Sequence, residues 1–134
     1  MRMFLEMGNV TDAGAPDLLR ASTSYLAQSL ADQAYHGWLM ESAEGKIMGG
    51  AGVLLRPLMP RPGAMSGPEA VVLNVYVEPE FRRQGVARTL METLLRWCRT
   101  QDISRIVLHP TPVGQPLYES LGFKPRGEMV YEAP

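Results

Sequence analysis

Two spacings of apolar residues alternate along the chain. From Pro16 to Gln33 the positions Leu18, Leu19, Ser22, Tyr25, Leu26 and Leu30 recur at helical intervals, which predicts an amphipathic helix. Pro16 suits its first turn, and Asp17 lies near the positive end. Trp38–Glu41 then reads as a strand, Glu44-Gly45 as a turn, and Lys46–Arg56 as the returning strand of a hairpin, loosened by Gly49, Gly50 and Gly52. Arg56–Pro68 holds four prolines and two glycines and reads as a surface loop.

The run Val71–Val77 predicts a strand with Val71, Leu73, Val75 and Val77 on one face. Val72 and Tyr76 make the other face largely apolar, so the strand is expected at the centre of a sheet. Val86–Thr100 follows as a helix with one broad stripe of Ala87, Leu90, Met91, Leu94, Trp97 and Cys98. Arg105–Leu108 predicts a short strand, and Val113–Leu121 a short helix ended by Gly122. Phe123 and Gly127–Tyr131 predict a last strand. Leu5–Met7 is a brief apolar stub before Gly8-Asn9. The order is an α/β mixture. Its hairpin is antiparallel, and its strand–helix–strand crossover makes the central pair parallel and right-handed.

A length of 134 residues fits one domain, 1–134. A hydrophobic share of 46% and a charged share of 20% are those of a globular protein. No run approaches the roughly 18 apolar residues of a membrane span, and the first residues make a poor signal peptide. A net charge of −1 recruits neither nucleic acid nor anionic lipid. The single Cys98 excludes an internal disulfide and a cysteine-based metal cluster, so no metal is expected and a reducing cytoplasm is the default location.

The chemistry concentrates in Val71–Ala87, VVLNVYVEPEFRRQGVA, where a strand feeds a helix through a basic, glycine-containing loop. Such a junction gathers free backbone N–H groups at a positive helix end and suits an oxyanion, phosphate above all. The loop has neither the G-x-x-x-x-G-K-S/T form nor G-x-G-x-x-G. It has the form R-x-x-G-x-A, built by Arg82, Gly85 and Ala87. Gly85 allows close approach of the backbone, and Arg82 or Arg83 adds charge at the rim.

The run LNVYVEPEFRRQGVARTLMETLLRWC resembles the acetyl-CoA-binding motif of the GCN5-related N-acetyltransferase (GNAT) family, and LHPTPVGQPLYESLGF resembles the same family's second motif. Together they cover about a third of the chain. The resemblance implies an α/β fold of the α+β type. Its central sheet would be mixed and mostly antiparallel, with a parallel pair splayed around acetyl-CoA, helices on both faces, and the first edge strand missing. Met1–Met7 would match only the end of a first helix, making the domain N-terminally shortened. Trp38–Glu41 would then be an outer strand, open to a homodimer contact.

The resemblance also implies roles. Backbone N–H groups of Arg82, Arg83, Gln84, Gly85, Val86 and Ala87 would hold the coenzyme A pyrophosphate. Val75, Tyr76 and Val77 would pair with the pantetheine arm. A bulge beside them, with Val75 as the catalytic backbone donor, would aim an N–H at the thioester carbonyl, an effect of about 2.7–4 kcal/mol in other enzymes. Tyr118 would protonate the departing thiolate. Where the family commonly has an asparagine, this chain has Thr111, Gly114 and Gln115, and Thr111 or Gln115 is a candidate replacement. Glu78, Glu80, Glu69 and His109 are candidates for the general base. Asn74 reads as a structural amide, His36 as a loop residue, Cys98 as core packing, and Met59 and Met65 as filler.

The expected activity is direct transfer of an acetyl group from acetyl-CoA to a primary amine on a small molecule or peptide. The rival readings are a non-catalytic acyl-CoA-binding module and a nucleic-acid-binding domain using Arg82, Arg83, Arg96, Arg99 and Arg105. The last is disfavoured by the acidic balance and by aromatics that fall on core faces.

Overall fold

A computed structural model describes residues 14–63 and 67–134. The element order is α1 (Ala15–Ala31), β1 (Tyr35–Glu41), β2 (Ile47–Pro57), β3 (Pro68–Val77), a 3-10 turn (Pro79–Phe81), α2 (Val86–Thr100), β4 (Ile106–Val107) and α3 (Gln115–Ser120). The strands form one sheet in the order β1-β2-β3-β4. The first two pairings are antiparallel and the third is parallel. This is the mixed sheet the sequence predicts, with β3 between an antiparallel and a parallel neighbour. Trp38–Glu41 lies on an outer strand among the described residues. The stub at Leu5–Met7, the question of a missing first strand, and Met65 fall outside those residues.

The core forms where the α2 stripe meets the sheet. Leu90, Met91, Leu94 and Cys98 of α2 pack with Ala51 and Val53 of β2 and Ala70 and Val72 of β3. Met91 and Leu94 are completely enclosed, so truncating Leu94 to alanine would cost about 2–5 kcal/mol. Trp97 leaves this stripe toward the sheet edge. Its ring lies 4.5 Å from that of His36 and 5.4 Å from that of Trp38. His36 is therefore a strand residue stacked on a helix, not a loop residue.

On α1 the inward positions are Leu18, Ser22, Leu26 and Ser29, while Leu19, Tyr25 and Leu30 are exposed. The stripe is narrower than its apolar content suggests, because positions four apart stack on one face. At the other end of the chain, α3 closes with Gly122 at φ +100°. Gly122 N–H donates to Glu119 O, and Phe123 N–H to Tyr118 O, both at 3.0 Å, the bond pair of a Schellman stop.

Two expectations are corrected. Gly127–Tyr131 forms no strand, and Phe123 is bound instead into the helix stop. Pro125, two residues on, cannot donate to a ladder, and residues 124–134 continue without secondary structure. The second correction concerns β3. Val72 stands opposite Val53, but Val77 stands opposite Gly49 and Tyr76 opposite Gly50, with a register shift between Gly50 and Gly52. An extra residue is thus inserted at Asn74–Val75. Val75 and Val77 share the α2 face with Val72, and Val71 and Leu73 lie on the reverse.

Candidate active site

The bulge is the first part of the site. Asn74 takes φ +57°, in the left-handed region that asparagine tolerates better than branched residues. Its Nδ2 donates to the Tyr35 hydroxyl at 3.2 Å. Tyr35 reaches it from β1 by crossing β2 at Gly52, where a Cβ would collide with the ring. Past the bulge, Gly49, Gly50, Tyr76 and Val77 resume the ladder. The inserted residue breaks the regular pairing at Asn74–Val75 and leaves backbone polar groups there for something other than β2.

The second part is the turn into α2. Glu78 N–H donates to Met48 O at 2.8 Å, and Pro79–Phe81 makes one 3-10 turn. Arg82 swings back, its Nε donating to Val77 O at 3.0 Å and its guanidinium lying 5.4 Å from the Tyr76 ring centre. Arg82 therefore fastens the loop to the strand end. Arg83 has φ +62° and Gly85 φ +78°, and Gly85 immediately precedes α2. No side chain caps this helix and its first turn holds no acidic residue. The leading N–H groups of an α-helix have no partner within it. With two left-handed residues before them, those of Val86 and Ala87 open onto a concavity of the shape that suits an anion.

The third part is the end of β4 and α3. Tyr118 is half-buried against the core, edge-on to Phe123 at 6.0 Å between ring centres. Burial pushes its phenol above the ordinary value, so it holds its proton at neutral pH. Gly114 lies against the same ring, where a Cβ would come within 3.0 Å of Cε2. Thr111 caps the turn into α3. Its carbonyl accepts from Gly114 and Gln115 N–H, each at 3.0 Å, and its Oγ1 accepts from Gly114 N–H at 3.2 Å. Gln115 Nε2 donates to Glu119 Oε1 at 2.8 Å. Arg88 ties α2 to α3 through Ser120 Oγ at 2.6 Å.

Val75, Val77, Phe81 and Tyr118 all pack against one apolar cluster that includes Val86, and the Arg88–Ser120 bond ties the start of α2 to α3. Glu69 does not belong with them. It opens β3, eight residues before Val77, which at about 3.3 Å per residue is about 26 Å away. It is also buried, at 2% exposure, and bound by both Arg56 and Arg105, the latter at 2.5 Å. Burial alone would raise its carboxyl, but hydrogen bonds and charge from Arg56 and Arg105 prevail and hold it below the ordinary range. Such an acid is a clamp across β2, β3 and β4, not a proton acceptor. Of the other candidates, Glu78 is half-buried, Glu80 is exposed, and His109 is exposed with Nε2 at 3.1 Å from Glu128 Oε2.

Residues 8–123 match the model of the acetyltransferase (GNAT) family. The chain belongs to this family. It is 31% identical over 97 residues to N-acetyltransferase 8 of Homo sapiens, covering 70% of this chain and 40% of that protein. It is 29% identical over 80 residues to a glucosamine 6-phosphate N-acetyltransferase of Trypanosoma brucei brucei, covering 60% of this chain and 52% of that one. The chain thus spans about half the length of the curated relatives it matches, or less. Among solved structures, a GCN5-related N-acetyltransferase from Ralstonia eutropha superposes with a TM-score of 0.87 at 31% identity, over 98% of this chain and 86% of that one. A predicted acetyltransferase from Clostridium acetobutylicum, solved with acetyl-CoA, has the same fold with a TM-score of 0.87 at 23% identity, over 98% and 83% of the two chains.

The signal for the R-x-x-G-x-A loop is plain in this sequence. The roles of Tyr35 and Gly52 carry no motif. The signal that could have located them is Asn74, a turn-favouring residue in the middle of an apolar strand.

Proposed function

We propose that residues 1–134 form a single acetyl-CoA-dependent N-acetyltransferase domain acting on a primary amine. The observation that carries this reading is the uncapped start of α2, preceded by left-handed Arg83 and Gly85 and set beside the bulged end of β3. Backbone N–H groups from Arg83 to Ala87 suit a pyrophosphate, that of Arg82 being given to Pro79 O at 3.3 Å, and Val75 to Val77 suit an amide-bearing arm laid along the strand. Acetyl-CoA supplies the activated acyl group.

The chain's own residues do the rest. The N–H of Val75 donates to the acyl oxygen as charge grows on it. The amine forms the new C–N bond as the C–S bond breaks, and the Tyr118 hydroxyl passes its proton to the sulfur. Gly114 leaves Tyr118 room, and Thr111 fixes the turn that presents it. The proton released by the amine leaves through solvent, with Glu78 and His109 nearest in the fold to the strand ends. No described helix is long and apolar enough to cross a membrane. The buried free thiol of Cys98 suits a reducing, cytoplasmic setting. The acceptor is a small molecule or a peptide, and the outer strand Trp38–Glu41 is available to a second copy.

Isotope-labelled acetyl-CoA offered with a panel of amines, beside calorimetric titration with coenzyme A, tests the reading. Labelled amide together with micromolar coenzyme binding is expected. Binding without transfer to any amine would leave an acyl-CoA-binding module in its place.

A further inference from the structure

The acid of the proposed reaction rides on a weak element. α3 is six residues long and none of them is fully buried, and a helix that short is not stable on its own. The bonds at its two ends are internal. Thr111 O accepts from Gly114 and Gln115 N–H, and Phe123 N–H returns to Tyr118 O. These fix the shape of residues 111–123, not where that unit sits against the turn that opens α2. The Tyr118 ring also rests on the core, but apolar contact is non-directional. Transfer of a proton to sulfur needs the two in register, since misplacement by about 1 Å can cost about a hundredfold.

Arg88 supplies the direction. It is the third residue of α2. Thr89 N–H donates to Gly85 O at 3.0 Å, so Arg88 lies within the turn whose leading N–H groups have no partner in the helix. Its Nη2 donates to Ser120 Oγ at 2.6 Å, two residues beyond Tyr118. Ser120 Oγ gives its one proton to Leu117 O, also at 2.6 Å, so only its lone pairs remain for the guanidinium. The bond is therefore aimed at both ends. Glu92, one turn further along α2, flanks the guanidinium at 3.9 Å from Nη1.

We propose that Arg88 is a positioning residue for Tyr118. Its bond to Ser120 holds α3 against the α2 turn that receives the pyrophosphate, and so sets the phenol against the sulfur. Coenzyme site and acid are registered through one side chain. The role rests on Tyr118 being the acid, and Arg88 itself moves no proton.

Arg88→Met tests this, because it keeps a helix-forming side chain and removes the donors. The side chain is 45% exposed, so the variant is expected to fold. In the chain without ligand, amide exchange should quicken at Tyr118, Leu121, Gly122 and Phe123, while the core amides of Leu90, Leu94 and Cys98 stay protected. This readout needs no turnover. At saturating acetyl-CoA, turnover should fall about ten- to a hundredfold. Added to Tyr118→Phe, however, the same change should lower the residual turnover little further. Unchanged exchange in α3, or parental turnover in Arg88→Met, would overturn the proposal. So would an equal loss in the parent and in Tyr118→Phe, the mark of a merely structural tie. A parent chain that transfers to no amine, or Tyr118→Phe with parental turnover, would overturn the catalytic reading and the role of Arg88 with it, whatever the exchange shows.

Discussion

The Asn74 amide and the Tyr35 hydroxyl meet at 3.2 Å across an intervening strand, in the space that Gly52 leaves empty. This one bond joins the outer strand β1 to the bulge at the heart of the site. Left-handed backbone costs a non-glycine residue about 1–2 kcal/mol, and the bond helps to offset that cost. Asn74→Gly should therefore keep the bulge and most of the turnover. Asn74→Val should lower stability by about 1–2 kcal/mol in urea titrations and depress turnover as well. Gly52→Ala should cost about 1–3 kcal/mol through overpacking against Tyr35. Equal turnover in the Gly and Val variants would detach the bulge from catalysis.

Gly85 stands at φ +78° directly before α2. Gly85→Ala should strain this junction and tilt the first N–H groups of the helix. Coenzyme A affinity should fall about tenfold, the equivalent of 1.4 kcal/mol, as read by calorimetry, while urea titration shows the loss of about 1–2 kcal/mol that left-handed backbone costs alanine. Undiminished affinity would place the pyrophosphate elsewhere.

Tyr118→Phe should lower turnover by about 10²–10⁴-fold and leave coenzyme A affinity unchanged, because the ring and its packing on Phe123 persist. Burial raises the phenol above its ordinary value near 10, so the acid stays protonated throughout the neutral range. Any alkaline loss of turnover belonging to Tyr118 should lie above that value and vanish in the Phe variant.

The Arg56–Glu69–Arg105 clamp predicts a specific acid response. The folded carboxyl is held below its ordinary value near 4.5. Its stabilisation is therefore complete above the unfolded value and is lost as pH falls from there through the lower folded value. Below about pH 4.5 the urea midpoint of the parent chain should fall more steeply than that of Glu69→Gln. Identical slopes would show that the clamp contributes no titrating stability.

Legibility in the sequence followed the range of the forces involved. The α2 stripe and the R-x-x-G-x-A loop are local, resting on a 3.6-residue period and one glycine-specific φ, and both stand where the sequence puts them. The bulge is not local. Val71–Val77 reads as one uninterrupted alternation; the family resemblance implies a bulge there, and pairing with β2 shows that Asn74 changes the face. Glu69 went astray because β3 begins at Pro68, three residues before its apolar run, so an acid offered as a general base is in fact buried within a strand. In Gly127–Tyr131 the alternation reports a preference for extended backbone, and a preference does not supply a partner.

Cys98, fully enclosed by α2 and the sheet, makes the chain its own stopwatch. It is the only thiol present, and burial raises its pKa and so disfavours the reactive thiolate. A thiol reagent should therefore modify the protein no faster than the core opens. The labelling rate then counts openings directly, giving every variant described above a readout of core integrity in the absence of any substrate.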